Sequence, residues 1–208
     1  MAPKRRASPR IVPFAVILLA AGESSRMGQP KQLLPWRGLP LVQYHLQELR
    51  ATTAGEIAVV LGHEAARVRP LVEPSLVDKR VHVVRNDAYR EGKTTSIKAG
   101  LRALRATPSG VMLLAVDQPR PREVLQRLID EHLSKGNLIS VPRHGNRHGH
   151  PPLFDASLIP ELLEISEAKQ GIREVIERHR EALREIEIAD PLVVTNLNTP
   201  EDYERAKA

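Results

Sequence analysis

Two cations and several small residues follow the first apolar run of the chain, and their spacing suits the binding of phosphate groups. Residues 15–19 are all apolar, and Ala20, Ala21 and Gly22 come next. Small side chains let a ligand approach the backbone amides, while lysine and arginine neutralise phosphate oxygens. We therefore expect a polyphosphate-binding loop within residues 18–36. Its other small or charged members are Ser24, Ser25, Arg26, Gly28 and Lys31.

An ordinary turn after a strand, with solvated Arg26 and Lys31, is the alternative to a phosphate loop. The second glycine and the second cation favour ligand binding over that alternative. Residues 91–94 (EGKT) resemble the end of a P-loop, but the P-loop pattern requires a glycine where this chain has Asp87. No GxGxxG motif follows the first apolar run, which disfavours a dinucleotide-binding fold.

Asp117 and Asn198 are candidate ligands for a metal ion beside the phosphates. Asp117 directly follows the apolar residues 111–116, and Mg²⁺ prefers carboxylate oxygens together with substrate phosphates. Asn198, in residues 196–202 (NLNTPED), offers a neutral oxygen. Each residue also has a purely structural alternative, because aspartate and asparagine side chains commonly cap helices and turns.

Three histidines, His144, His148 and His150, lie within the glycine- and proline-rich residues 142–152. Their spacings of four and two residues do not force the rings to converge, and no carboxylate or cysteine accompanies them. A bound transition metal is therefore disfavoured, and a mobile loop over a second substrate is the preferred interpretation.

The elements that must position these residues alternate between apolar strands and amphipathic helices. Such alternation predicts a largely parallel sheet with helices on both faces, and ligands bind such sheets at the carboxyl ends of the strands. The Gly22 loop and Asp117 should therefore share one edge. Strands are predicted at 15–19, 56–61, 81–85, 111–116, 138–141, 184–188 and 193–197, and helices at 41–49, 63–72, 95–105, 121–133, 155–163, 171–179 and 200–206.

Composition limits the possible partners. The net charge is +6, but no five-residue basic run or aromatic–basic interleaving is present, so a small anionic substrate is favoured over nucleic acid. The absence of cysteine excludes disulfides and thiolate metal sites and fits a reducing compartment, so a cytoplasmic location is expected. No stretch approaches the ~20 apolar residues of a membrane span.

The 208 residues allow one large domain or two small ones, and no linker or repeat divides them. Residues 1–10 are basic and precede an apolar run, as in a signal peptide. Pro13 interrupts that run, and cleavage would remove the first strand. We therefore expect a disordered basic tail at residues 1–10 and a single domain at residues 11–208.

The segment LAAGESSRMGQPKQLLPW resembles the signature of nucleotidyltransferases that build dinucleotide forms of the molybdenum cofactor. The chain most resembles the cytidylyltransferase branch of that family and next the guanylyltransferase branch. VDQP resembles the family's metal-aspartate motif, GHPPLF its acceptor-side loop and NLNTPED its terminal metal-site motif. Ala21 favours CTP over GTP, because the family's guanylyltransferases tend to carry glycine there.

The resemblance implies a three-layer Rossmann-like nucleotidyltransferase fold and Mg²⁺-dependent transfer of a nucleoside monophosphate, most simply CMP from CTP, to the phosphate of molybdopterin. Residues 11–120 would hold the nucleotide and residues 121–208 the acceptor. Arg26, Lys31 and Asp117 would be catalytic, and Asp117 and Asn198 would hold the metal. The nucleotide would also contact Leu19, Ala20, Ala21, Gly22, Ser24, Ser25, Asn86, Gly92 and Ser96. The acceptor would contact His150, Pro151, Gln170 and Arg173.

The chain departs from the family pattern at two places. Lys169-Gln170-Gly171 stands where relatives usually have an acidic turn, which leaves open a sugar phosphate or another phosphorylated metabolite as acceptor. Asn196 and Asn198 replace aspartates that are common in the terminal motif, so the metal would depend more on Asp117 and the phosphates.

A further alternative is a nucleotide-binding protein without transfer activity that serves as a chaperone for a molybdoenzyme. A molybdoenzyme is also a possible transient partner of the enzyme.

Overall fold

The structure is a computed structural model and describes residues 14–207. The basic tail expected at residues 1–10 lies outside the described residues. The central strands of the sheet are aliphatic and buried on both faces, the pattern of parallel strands covered by helices. The first strand, β1, has the sequence AVILLA and is buried at every position.

The bounds of the elements follow the apolar runs. The strands are β1 (Ala15–Ala20), β2 (Pro35–Trp36), β3 (Leu39–Pro40), β4 (Glu56–Leu61), β5 (Val81–Arg85), β6 (Gly110–Ala115), β7 (Ile139–His144), β8 (Arg147–His148), β9 (Leu153–Asp155) and β10 (Leu183–Glu187). The helices are α1 (Leu41–Arg50), α2 (Ala65–Val72), α3 (Lys93–Arg102), α4 (Arg122–Ser134), α5 (Ile159–Glu164), α6 (Ile172–Arg178) and α7 (Pro200–Lys207). No helix in this part of the chain combines the length and apolar character that crossing a bilayer requires.

The main sheet has the strand order β10-β7-β9-β6-β1-β4-β5, with β8 paired to β7. The pairs β1–β4, β1–β6, β4–β5 and β7–β10 are parallel, whereas β9 runs antiparallel between β6 and β7. In register, Leu19 lies between Val60 and Ala115. The carboxyl ends of β1, β4 and β6 therefore meet at one edge of the sheet.

Side chains of β1 alternate between two hydrophobic clusters, one on each face of the sheet. Val16 and Leu18 lie in a cluster that includes residues of α1, α2 and α4. Ile17 and Leu19 lie in a cluster that includes residues of α3, α5 and α6. The predicted α/β fold, a mostly parallel sheet with helices on both faces, is confirmed.

One local prediction is wrong, and one strand was not predicted. Residues 193–197 form no strand: Pro191–Val194 is a 3-10 turn, begun by the Asp190 carboxylate that accepts a hydrogen bond from the Leu192 N–H at 2.8 Å. The antiparallel strand β9 was not foreseen, because its three residues follow a glycine-, histidine- and proline-rich segment without apolar alternation. Strand β9 matters for the site because it brings residues 149–152 to the carboxyl edge of β6.

Candidate active site

The loop after β1, residues 20–32, is braced from inside by a buried glutamine and is here called the Gly22 loop. Gln32 Nε2 donates to the carbonyls of Ala20 at 2.7 Å and Gly22 at 3.3 Å. Ser24 Oγ accepts a hydrogen bond from the Lys31 N–H at 3.1 Å. A Cβ atom at Gly22 would meet nothing within 4 Å. The loop is thus held in shape while open space remains above Gly22.

Four charged or polar residues converge beside this loop. Lys31 Nζ lies 2.8 Å from Asp117 Oδ2 and 3.1 Å from Asn198 Oδ1. Arg26 Nη2 donates to the same Asn198 oxygen at 3.4 Å. The terminal segment reaches this place because the Leu197 N–H donates to the Asp117 carbonyl at 2.8 Å. The predicted catalytic and metal-site residues therefore form one cluster.

The oxygens of Asp117 and Asn198 both face the point where the Lys31 ammonium lies. One carboxylate and one amide oxygen suit a hard divalent cation that takes its remaining ligands from phosphates and water. Among the described residues, no group of three or more histidine, cysteine, aspartate or glutamate side chains is placed to hold a metal. The donor set therefore fits a cation that arrives with a phosphorylated ligand better than one held by protein alone.

A small cavity of about 230 Å³ opens between the Gly22 loop and α3. Tyr89 and Ser96 form the wall opposite the loop, and Asp117 closes one end. Seven of the residues predicted to bind nucleotide line this cavity: Leu19, Ala21, Gly22, Ser24, Lys31, Ser96 and Asp117.

The other predicted nucleotide residues lie outside the cavity lining. Ala20 is buried at the end of β1, and Ser25 and Arg26 are on an exposed 3-10 turn. Asn86 Nδ2 donates to Thr95 Oγ1 and Ser96 Oγ at 2.9 Å each, so Asn86 orients Ser96 from behind. Gly92 has φ 120° and precedes α3, where a Cβ atom would overlap the Glu167 side chain.

A larger cavity of about 730 Å³ lies on the other side of Asp117. Of the predicted acceptor residues, His150, Gln170 and Arg173 line it, whereas Pro151 is buried and Pro152 takes a place in the wall. Asn198 also faces this space. Its apolar wall consists of Ile97, Val141, Pro152, Ile172, Ile176 and Leu183.

The three histidines of residues 142–152 point in different directions. His144 Nδ1 bonds the Ile188 carbonyl at 2.9 Å, and His148 Nε2 contacts Glu185. Burial lowers the pKa of His150 to about 4, assisted by the nearby cations Lys93 and Arg120. His150 is therefore neutral at pH 7 and can donate or accept a hydrogen bond in the large cavity.

Two residues at the site were missed in the sequence. Arg120 is fully buried, and its guanidinium donates to the carbonyls of His150 (2.9 Å), Val193 (3.0 Å) and Thr195 (2.9 Å). It thereby ties the β6 end to the loop before β9 and to the terminal segment. Lys93, the first residue of α3, lines both cavities. In the sequence, Lys93 belongs to the EGKT segment, which resembles the end of a P-loop but does not complete that motif.

Three curated relatives differ in their names. A probable molybdenum cofactor guanylyltransferase of Trichormus variabilis is 30% identical over 196 residues, 91% of this chain and 88% of that protein. A nicotine blue oxidoreductase of Paenarthrobacter nicotinovorans is 28% identical over 200 residues, 91% of this chain and 94% of that protein. The bifunctional protein GlmU of Kineococcus radiotolerans is 38% identical over 134 residues, 62% of this chain, but the match spans only 27% of that longer protein.

A solved structure and a family profile agree with the fold. A Mycobacterium tuberculosis protein, crystallised as a complex with manganese, has a TM-score of 0.74 and 27% identity and is matched over 98% of its length by 94% of this chain. The profile of the MobA-like NTP transferase domain matches residues 16–196, a range that includes the Gly22 loop, Asp117 and most residues of both cavities. The chain therefore belongs to the family of MobA-like NTP transferase domains.

Proposed function

We propose that this protein transfers a nucleoside monophosphate from an NTP to the phosphate of an acceptor and releases pyrophosphate. The observation that carries the proposal is the arrangement of two cavities on either side of Asp117. The small cavity adjoins the Gly22 loop and suits the nucleotide, and the large cavity suits the acceptor. A phosphate at the mouth of each would meet its partner beside Asp117.

The reaction requires alignment and charge neutralisation more than proton transfer. An oxygen of the acceptor phosphate attacks the α-phosphorus, a new P–O bond forms, and the bond to the β-phosphate breaks as pyrophosphate leaves. The attacking oxygen is already anionic, so no strong general base is needed. Lys31 and Arg26 would neutralise the triphosphate, and Asp117 and Asn198 would hold Mg²⁺. Bound Mg²⁺ would neutralise the charge that develops on the phosphates.

We propose CTP as the donor and molybdopterin as the acceptor. Ala21 and Tyr89 both line the small cavity, and the Ala21 methyl group, which lies next to Gly62, narrows the space available to a purine. The large cavity combines an apolar wall with Arg173 and His150, which suits a fused-ring compound that carries a phosphate. The Trichormus relative supports the acceptor but is named a guanylyltransferase, so GTP is the main competing donor.

A sugar phosphate is the second candidate acceptor. The 134-residue similarity to GlmU covers 62% of this chain. Lys169, in place of the usual acidic residue, also changes the charge next to Gln170, which lines the large cavity.

A matrix of donors and acceptors tests these proposals. The full chain with Mg²⁺ or Mn²⁺ is incubated with each of the four NTPs, and with molybdopterin, a hexose 1-phosphate or no acceptor, while pyrophosphate is measured. We expect turnover that requires the metal and is fastest with CTP and molybdopterin. Turnover with only the sugar phosphate would favour the second acceptor. Nucleotide binding by calorimetry without pyrophosphate from any pair would overturn the transferase and favour a non-catalytic chaperone.

A further inference from the structure

Lys93 lies at the boundary between the two cavities. Among the described residues, only Lys93 and Asp117 line both of them. Asp117 follows β6, and Lys93 begins α3, so the cation and the carboxylate reach this boundary from different elements. Any phosphate that passes from one cavity to the other must come close to both.

Lys93 differs from Lys31 in the contacts that its ammonium makes with the described residues. Lys31 Nζ bonds Asp117 and Asn198 and is only slightly exposed, at 8%. Within residues 14–207, no carboxylate lies within 4.0 Å of the Lys93 ammonium, and no side-chain hydrogen bond holds it. Within the described residues the Lys93 ammonium thus has no direct partner, whereas Lys31 is already engaged.

The surroundings of Lys93 disfavour its charge. Its surface faces the open cavities, yet enough protein surrounds the side chain that desolvation lowers its pKa. The carboxylates of Asp117 and Glu167 act in the opposite direction, and Lys31 adds to the lowering. A phosphate beside the ammonium would offset this cost, because a charge-assisted hydrogen bond favours the protonated form of the amine.

The position of Lys93 is fixed from the large-cavity side. Glu167, in the 3-10 turn Glu167–Lys169, accepts a hydrogen bond from the Thr94 N–H at 2.7 Å and covers Gly92. Glu167 itself lines the large cavity. The segment that carries Gln170 and Arg173 is therefore joined to the first turn of α3.

We propose that Lys93 binds the attacking phosphate of the acceptor at this boundary, separately from the triphosphate cations Arg26 and Lys31. The assignment rests on the proposed function. Two phosphate groups repel each other as they approach, and an ammonium between them offsets that repulsion while it aligns the attacking oxygen. Lys93 neither gives nor takes a proton in this step. It selects acceptors whose reacting group is a phosphate monoester.

The experiment compares Lys93→Met and Lys93→Arg with the matched control Lys98→Met, which lies on the same helix but lines neither cavity. Thermal unfolding first establishes that each variant is folded. Inorganic phosphate is then titrated by calorimetry into the full chain, alone and saturated with CMP, and CMP is titrated separately. We expect Lys93→Met to lower phosphate affinity at least tenfold and CMP affinity less than twofold. Lys93→Arg should retain most of the phosphate affinity, and Lys98→Met should match the wild type.

Turnover supplies the second measurement. In Lys93→Met, the KM for the acceptor should rise at least tenfold while the KM for the NTP changes less than twofold. Unchanged phosphate affinity in Lys93→Met would overturn the assignment, as would a wild type that binds no phosphate. An equal loss of CMP and phosphate affinity would also overturn it, because Lys93 would then belong to the nucleotide site. A wild type without pyrophosphate release contradicts the transferase function, while the phosphate titration still decides the role of Lys93.

Discussion

The Gly22 loop and the large cavity obtain their residues in different ways. The loop takes Arg26 and Lys31 from one short stretch and is braced by Gln32, which is itself part of the stretch. The large cavity takes His150 from the loop before β9 and Arg173 from α6. Local sequence thus encodes the Gly22 loop, whereas the large cavity exists only because distant segments are tied together.

The largest expected effect lies on the loop side. Lys31→Met should lower kcat/KM by about a thousandfold, because Lys31 is the buried cation that contacts both Asp117 and Asn198, whereas Arg26 is exposed and reaches only Asn198. Pyrophosphate release at saturating metal measures the effect, and Lys98→Met is the control. A loss of less than fivefold would mean that Lys31 only holds Asp117 and Asn198 in place.

On the side of the large cavity, the substitution of Arg120 tests the hydrogen bonds that hold the terminal segment. Arg120→Met should lower the free energy of unfolding by about 3 kcal/mol, because the buried carbonyls of Val193 and Thr195 lose their charged donor. Urea denaturation measures this loss, and Arg122→Met, which changes an exposed side chain, should have little effect.

Amide hydrogen exchange in Arg120→Met tests whether the Gly22 loop is held independently of the terminal segment. In Arg120→Met, residues 191–198 should exchange faster while residues 20–32 keep their protection. Equal loosening of both segments would contradict the claim that the Gly22 loop is held locally.

A pH dependence of stability should follow from two buried histidines. Burial lowers the pKa of His45 and of His132 to about 4 from the usual 6.5. Between pH 6.5 and 4 the unfolded chain binds more protons than the folded chain, so stability falls as the pH falls. Each histidine should contribute about 3 kcal/mol to the loss by pH 4.

Urea denaturation from pH 7 to 4 tests this expectation. His45 Nε2 bonds the Val116 carbonyl at 2.9 Å, next to Asp117, and His45→Gln can keep that contact while removing the titration. The variant should show a shallower pH dependence than the wild type between pH 6.5 and 4. An unchanged slope in His45→Gln would show that His45 does not titrate in this range.

The smallest expected effect concerns the choice of base. Ala21→Gly should raise the ratio of kcat/KM with GTP to that with CTP by about fivefold, as expected when one methyl group is removed from a pocket. The ratio is measured with both donors in competition. A ratio that falls or stays constant would remove Ala21 from the account of donor preference.

Sequence patterns predicted the structure correctly where a single segment contains the whole pattern. The apolar run of β1 and the small residues after it predicted the Gly22 loop, and the strand-ending position of Asp117 predicted that it would share the same edge. Both follow from local burial and from the alignment of parallel strands. The 3-10 turn Pro191–Val194 was not predictable in this way, because its short apolar run resembles a strand.

The alternation of the main strands and helices, the Gly22 loop and the family resemblance could all be read from the amino-acid sequence. The tertiary structure was needed to show that Asn198 meets Lys31 across 167 residues, that Lys93 lies between two cavities and that Arg120 joins three segments. The physical reason is that side-chain convergence depends on which carbonyls and charges are left without partners after the sheet forms. For residues held by distant segments, spacing along the chain does not predict which side chains will meet.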